Sequence, residues 1–581
     1  MLAAYDFEST AIAEGTPELL YVTGFGDSSF RVSTRLDRGN RLERLRDILI
    51  NYFLLPEYSG AKFVAWNGNR FDVYFIIQAL LHSPDYVMQP YMTASKALRG
   101  LRVKSTRKYT VAGKRKILQY EFLDGISMTG MVGKTLESFL KTFAPELPKL
   151  KLDLENIEFN PDDAEHVKYA ERDSEGLYIG MKRVQEIILR LTGENLKPTI
   201  GNLAIKYFMS NVPQHKRLKN PTDALYKILH GPVKRGGYCW CMKQYTGPVW
   251  KYDINQAYAA AMRDAQLPAG DSAHTDIYIK ESPGVYLATI SRKPFSLIPF
   301  YYKLEKVNEG RFTTGAKPVT CWITSIEIEH LRADGWDVSI DHGYYWTDSF
   351  NFSKIVSDLE TLRATDPDGP SGPLGTMVKA IGNNAYGKTL EQLSGLELII
   401  ASDAPDGWDL YDPFDEACTN VFSRTRAVFQ KPHHLPQIGV FVTALVRCKV
   451  RTAALLSPET FLYADTDSTV FSKPAPLTIH KTHYGDWKIE AEGVNYIILG
   501  KKIFYGEDGT TKAKGLMTRK LQKVDYEKWM LGDLPVQEQV QRNNLLKFLT
   551  GHDMFRLQER KGTDTGKSKV YRLKNGEYLP S

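Results

Sequence analysis

Residues 461–471 read FLYADTDSTVF, and the way two aspartates sit in so apolar a run decides the fold. The aromatic and β-branched flanks predict two strands of a hairpin, with Asp465, Thr466 and Asp467 at its centre. Burying two acids there is costly without a cation, so a purely structural reading is poor. Upstream, VWKYDINQAYAAAM (249–262) predicts a strand ending at Asp253 and then an Ala-rich helix. By itself Asp253 reads equally as a helix cap. Between them lies MVKAIGNNAYGKT (377–389), helical in spacing as far as Gly387, which puts Lys379, Asn383 and Tyr386 on one face. Such a stripe is either an ordinary solvated face or a grip on a triphosphate, with Lys379 as the point charge.

A second acidic constellation opens the chain. In LAAYDFEST (2–10) a strand puts Asp6 and Glu8 on one face and Tyr5 and Phe7 on the other. FVAWNGNRFDVYFIIQALL (63–81) predicts an apolar strand, a polar turn and an amphipathic helix entered near Asp72, which alone reads as a helix N-terminal charge. The stretch 161–191 has a Pro/Asp start and the period of a long helix, with Tyr169 and Asp173 one turn apart. If Asp6, Glu8, Asp72 and Asp173 cluster, like charges ~4 Å apart repel by about 4 kcal/mol at an effective dielectric near 20, so the cluster calls for cations. All-oxygen ligands favour magnesium or manganese.

Composition narrows the class. With 581 residues, 43% hydrophobic and 25% charged, the chain has the balance of a folded protein of roughly four domains or subdomains. Gly (44) and Pro (29) are ordinary, which excludes collagen-like and disordered classes. No apolar run reaches the ~18 residues of a membrane span and MLAAYDFEST lacks a signal-peptide pattern, so a cytoplasmic setting without membrane partners is expected. Cys239, Cys241, Cys321, Cys418 and Cys448 make neither a disulfide framework nor a CxxC pair; reduced, mostly buried thiols are expected. A formal charge of +7 favours an anionic partner only slightly, and the many aromatics (32 Tyr, 26 Phe, 9 Trp) suit either base stacking or large cores. Breaks are expected at 366–375, 403–417 and 561–569, and alternating strand and helix patterns predict a multidomain α/β and α+β enzyme.

At this point the motifs carry a resemblance. YDFEST, NGNRFD and YAERD, in that order, resemble the DxE, Nx(2-3)(F/Y)D and YxxxD motifs of DEDD-type 3′-5′ proofreading exonucleases. The resemblance implies a ribonuclease H-like module with two-metal hydrolysis: Asp6, Glu8 and Asp173 on metal, Asp72 completing the shell of the second ion, and Tyr169 orienting the water. Ser9, Asn67 and Phe71 would hold a single-stranded 3′ end, Phe71 by stacking, and Lys151 of LPKLKLD would face a phosphate. DINQAY, KAIGNNAYG and YADTDS resemble DxxSLYP, KxxxNSxYG and YxDTDS of family B DNA polymerases. By that likeness Asp253, Ile254 and Asp467 would be the metal-binding positions, two Mg2+ (or Mn2+) ions per active site, with Asp465 supporting. Lys379 and, from TLRAT, Arg363 would contact the triphosphate, Asn383 would shape the pocket, Tyr258 would lie under the sugar, and Tyr386 would pack near the nascent base pair. Gln256, Ala257, Ala259 and Asn384 depart from the family pattern without removing a metal ligand. GKKIFYG resembles a primer-holding KxY motif through Lys502 and Phe504, KAKGLMT adds Lys514, and VKRGGYCW resembles a YxGG loop through Arg235, Gly236 and Gly237, with Lys234 where Tyr is usual.

The compact layout resembles the protein-primed branch of family B, replicases of small linear phage genomes. That likeness implies a 3′-5′ exonuclease domain at 1–190 followed by a right-hand polymerase. The palm would occupy 191–262 and 438–520, a terminal-protein-docking insertion 263–355, fingers 356–391, a strand-displacement and processivity insertion 392–437, and a thumb 521–581. Primer-template and single-stranded DNA, dNTPs and a terminal (priming) protein are the expected partners of a monomer. A nucleic-acid-primed polymerase, a stand-alone 3′-5′ exonuclease and a non-catalytic DNA-binding protein are the rival readings.

Overall fold

Two sheets carry the two acidic stretches. In the computed structural model described here, residues 1–27, 30–36, 39–93, 95–152, 158–213, 215–216, 218–304, 310–392, 395–411, 420–426, 432–564, 571–574 and 577–580 are described, with side chains as far as 564. Cys418, residues 412–417 of the acidic stretch and 565–569 of the tail lie outside them.

The first sheet has ten strands. Third from one edge, the strand Leu2–Ser9 lies between Leu19–Gly26, antiparallel, and Lys62–Ala65, parallel. Strict alternation works as the sequence predicts: Tyr5 and Phe7 enter an aromatic core with Phe53 and Phe122, and Asp6 and Glu8 face the other way. The long helix Ala164–Thr192, capped by Asp163, packs on that acidic face. The helix Asp72–Leu80 forms as expected but is not amphipathic: eight of its nine residues are buried. The reason is tertiary, because Leu545, Leu546, Phe548, Met554 and Phe555 from the C-terminal region join the core around it, so no face is left to water.

The second sheet is a seven-stranded antiparallel one, ordered Thr511–Ala513, Ile503–Gly506, Trp487–Gly500, Tyr245–Ile254, Ser468–Phe471, Phe461–Thr466, Tyr238–Cys241. Its middle strand carries Asp253, and the neighbouring hairpin carries Asp465 and Asp467. The helix Pro436–Leu456 packs against it, and the helices Ser353–Ala364 and Pro373–Thr389 pack on each other across a loop at 365–372, within the break expected at 366–375.

Between Leu267 and Phe350 lies a separate four-stranded sheet with the helix Ser325–Ala333. The stretch after the helix pair does not stand apart in the same way. Strands Leu396–Ile400, Val421–Thr425 and Asp409–Leu410 extend the ten-stranded sheet beyond Tyr86–Met92, with Ile400 opposite Met88. Cys239, Cys321 and Cys448 are buried free thiols and Cys241 is partly buried. No helix among the described residues is long and apolar enough to cross a membrane.

Candidate active sites

The N-terminal acids converge. Burial, then the charges of Glu8, Asp72 and Asp173, push the Asp6 carboxyl well above its ordinary range. Burial and then Asp173 lift Glu8 to about 7, and burial lifts Asp72 to about 8 although its own and the Phe7 amide bind it, the latter at 3.2 Å. Asp173, 3% exposed, is also raised, chiefly by burial. Its Oδ2 pairs with Lys149 while its Oδ1 is buried with no hydrogen-bond partner. Four hard oxygen donors, mutually repelling and with an orphaned oxygen among them, fit divalent ions such as Mg2+.

Other expected residues fall around this centre. Tyr169 lies beneath Lys149, whose ammonium is 4.8 Å from the ring centroid, and burial followed by the charge of Asp173 pushes its phenol up to about 12. Lys149, not Lys151, is thus the lysine at the cluster; Lys151 is exposed. Position along the chain points equally to both, and only the direction of the loop separates them. Ser9 donates to the Thr10 carbonyl at 2.9 Å. Asn67 is exposed, in the left-handed region at φ 68°, and the following Gly68 lets the backbone pass beside Ala65 and Asp72 where a Cβ would meet Ala65 at 2.7 Å. Phe71 is partly buried, edge-on to Phe75 at 5.1 Å and 6.4 Å from Phe555, a residue of the C-terminal region.

The second centre is built by strand register. Asp253 lies opposite Ser468 on one side and Lys488 on the other, and the Ile254 amide donates to the Asp467 carbonyl at 2.9 Å. Burial and then the charge of Asp253 push Asp467 up to about 6, and burial also raises Asp253 even though Lys488 sits 2.9 Å from its Oδ2. The lysine is a resident cation between acids that fit a harder one. Ile254, buried, offers only its carbonyl. Thr466 at the hairpin tip is left-handed, φ 70°, an uncommon state for a β-branched residue, and Gly237 packs so closely that a Cβ would meet the Thr466 Cα at 2.7 Å.

Asp465 differs from its neighbour. Burial raises its carboxyl, but Lys512 at 3.0 Å and Lys502 at 3.5 Å more than reverse that, so it stays below the ordinary range. The cation that the hairpin demands at Asp465 is therefore a pair of lysines, not a metal ion. Phe504, expected against DNA, is buried instead: it stacks on Tyr496 at 5.7 Å and carries Lys512 over its ring at 5.9 Å. Both faces of this strand are covered, Phe504 packing with Tyr496 and Ile498 on one side and Ile503 with Tyr526 and Trp529 on the other, so alternation leaves neither ring nor chain to solvent. Lys502 (φ 62°) and Lys514 meet through backbone, Lys514 N to Lys502 O at 3.1 Å, and Lys514 is exposed.

Arg235 is corrected in the same way. Expected to face template phosphates, it is 2% exposed, bound to Glu327 and, at 2.5 Å, to the Tyr301 carbonyl. Arg447 grips the other Glu327 oxygen at 2.9 Å and the Arg235 and Gly236 carbonyls at 3.0 and 3.2 Å. Burial opposes the Glu327 charge, yet the two guanidiniums hold its carboxyl down at about 2. The loop 235–237 is thus seated from below by an ion trio and abuts the acid hairpin above; only Gly236 is exposed.

The helix face expected from 377–389 also forms. Tyr258 and Tyr386 stack at 4.2 Å and 11°. Lys379 is exposed yet crowded by the cleft, and desolvation, then Arg363 and Lys488, hold its ammonium below the ordinary range. Arg363 also donates to the Pro370 carbonyl at 3.2 Å. Asn383 is partly buried on the same helix, while Asn384 turns back to the Ala380 carbonyl at 2.8 Å. Lys488 and Lys512 are the residues that sequence missed, because only strand register brings them to the acids.

Comparisons with known proteins give the family and the fold. The family model described as "DNA polymerase type B, organellar and viral" matches residues 114–404. The chain belongs to that family. This type B polymerase is 24% identical over 357 residues to the DNA polymerase of Bacillus phage Nf, covering 56% of each. It is 23% identical over 290 residues to that of Bacillus phage phi29, covering 46% of this chain and 47% of the relative. To that of Enterobacteria phage PRD1 it is 22% identical over 337 residues, covering 55% and 56%. The matched stretch thus spans about half the length of these curated relatives. In fold it superposes on phi29 DNA polymerase complexed with primer-template DNA at a TM-score of 0.71, with 15% identity, over 97% of this chain and 100% of that one. The multidomain α/β and α+β architecture, an exonuclease-type module followed by palm, fingers and thumb, is that fold.

Proposed function

We propose that this type B polymerase is a DNA-directed DNA polymerase with a 3′-5′ proofreading exonuclease, protein-primed, processive and strand-displacing, replicating a linear phage or plasmid genome. The observation that carries it is the pair of all-oxygen acid centres on two different sheets, each with carboxyls held above their ordinary range by burial and by one another. Asp253, the Ile254 carbonyl and Asp467 would hold Mg2+ (or Mn2+) at one centre, and Asp6, Glu8, Asp72 and Asp173 at the other. Bound there, the ions lower the pKa of an attacking hydroxyl or water and neutralise phosphate charge.

The chain's own groups do the rest. Lys379 and Arg363, facing the same cleft, attract the triphosphate; desolvation of Lys379 strengthens that attraction. The stacked Tyr258 and Tyr386 form a flat floor for the sugar and the new base pair, and Asn383 borders it. Lys502 and Lys514 track the primer backbone, and Gly236 is the point of the 235–237 loop that a phosphate can reach. At the other centre Tyr169 and Lys149 orient water against Asp173, and Phe71 with Ser9 and Asn67 receives a frayed 3′ end. The sheet at 267–350 is the surface for a terminal protein, whose hydroxyl would serve as the first primer, and the strands between 396 and 425 border the downstream duplex.

Asp467→Ala is expected to lower primer extension by at least ~10²–10³-fold, the scale for removing one charge-stabilising group, while 3′-5′ degradation of single strands continues. Asp6→Ala with Glu8→Ala is expected to do the reverse. Loss of both activities in either variant overturns the two-centre reading. Extension from oligonucleotide primers combined with failure to initiate on every cognate protein overturns protein priming and leaves the polymerase assignment intact.

A further inference from the structure

Among the described residues, one cluster of ligating side chains belongs to neither acid centre. Glu391 follows the helix Pro373–Thr389, and His433 and His434 precede the helix Pro436–Leu456. One ligand atom from each falls within 4.8 Å of the others, and the Glu391 Oε2 lies 3.6 Å from the His434 Nε2. Two ligand atoms bound tetrahedrally at ~2.0–2.2 Å to one ion stand roughly 3.4 Å apart, so this spacing is that of a shared ion as much as of a hydrogen-bonded pair. The His434 ring is 1% exposed, its carbonyl is pinned by the Asn220 amide at 2.9 Å, and the His433 ring stands at 75° to it, so the two imidazoles converge from different directions. Lys388 takes the other Glu391 oxygen and orients the carboxylate.

We propose that Glu391, His433 and His434 form a structural site for Zn2+ or a similar borderline transition ion. Imidazole and carboxylate donors select such a metal over Mg2+, which wants an all-oxygen shell. His230, stacked on Tyr226 at 4.3 Å with its Nε2 buried and without a hydrogen-bond partner, is near enough for the charge of His434 to act on it. It stands outside the group of three whose ligand atoms lie within 4.8 Å of one another, and a solvent ligand would complete the ion's shell. The position has a consequence for the fold. The chain leaves at Glu391, forms the strands that extend the ten-stranded sheet, and returns at His433. An ion joining those points ties the neck of the whole 392–432 excursion and offsets the entropy of closing it.

The test uses the full chain. Protein purified without chelator, or reloaded with Zn2+ alone, is expected to retain one equivalent of zinc through gel filtration in excess Mg2+. Co2+ loading is expected to give the visible absorption of a four-coordinate nitrogen-containing site rather than the weak bands of an all-oxygen one. His434→Ala and the less buried His433→Ala should each weaken zinc binding at least roughly a hundredfold, and a zinc-selective chelator should speed proteolytic cutting within 392–432 in the unsubstituted protein alone. If His434→Ala misfolds, His433→Ala and Glu391→Gln carry the test. Failure of the unsubstituted chain to hold zinc, or retention undiminished in the folded variants, overturns the site and reduces the cluster to a histidine–glutamate ion pair. The outcome is independent of the polymerase and exonuclease assays.

Discussion

The two acid centres solve one electrostatic problem differently. The N-terminal centre gathers Asp6, Glu8, Asp72 and Asp173 against, among the described residues, one contacting lysine, Lys149, and leaves its carboxyls raised. The palm centre spreads three acids over a lattice of lysines: Lys488 on Asp253 and Lys502 with Lys512 on Asp465, so that only Asp253 and Asp467 stay raised. A centre with few resident cations depends on bound ions to be stable when ionised. One laced with lysines can keep its shape while ions and triphosphate come and go.

The contrast breaks most visibly at the support beneath the palm hairpin. Glu327→Gln strands two buried guanidiniums, and unfolding monitored by denaturant is expected to show a loss of roughly 3–5 kcal/mol, with extension falling more than single-strand degradation. Equal loss of both activities would mean that the trio serves the whole molecule rather than the hairpin.

Next in size, Lys149→Ala is expected to lower 3′-5′ degradation about 10–100-fold, the usual scale for an outer-shell partner, with Lys151→Ala near unity. The reverse order would return the role to Lys151.

The acid load of the N-terminal centre makes a third, graded effect. Glu8 moves from 4.5 in the open chain to about 7, and Asp72 from 3.8 to about 8, so the unfolded chain releases these protons first. Stability from these groups is therefore present at low pH and lost as pH rises through about 4 to 8. Thermal unfolding of chelated protein should show the melting temperature falling over that window, and added Mg2+ should flatten the fall. Asp72→Asn should remove part of it. A melting temperature that rises monotonically across the window would contradict the clustering.

The smallest effect sharpens the palm side. Lys488→Met takes away the cation at Asp253, and the acid limb of the pH–rate profile for extension should move to higher pH, with a maximal rate within about tenfold. An unmoved limb would show that Lys488 leaves the centre when substrate binds.

How legible this was depends on how far apart the partners are. The long helix, the acid hairpin and the face bearing Lys379, Asn383 and Tyr386 follow from period and turn chemistry, which are local. The acids were legible too, because a carboxylate in an apolar strand is costly unless a cation meets it. Lys151, Phe504 and Arg235 misled because a motif records position along the chain and not which way a side chain turns. Phe504 and Arg235 are both buried, one as the platform of Lys512 and the other inside an ion trio whose members are far apart in sequence.

The amino-acid order alone determined the fold class, the two sets of acids and the helices and strands that bear them, since spacing sets which residues share a face. Only the folded chain decided which lysines reach those acids, that Asp72–Leu80 is buried on every side, and that the strands after Gln392 join the first sheet. Those outcomes depend on register and on packing between segments hundreds of residues apart, where the energy of a contact depends on a neighbour that local pattern does not name.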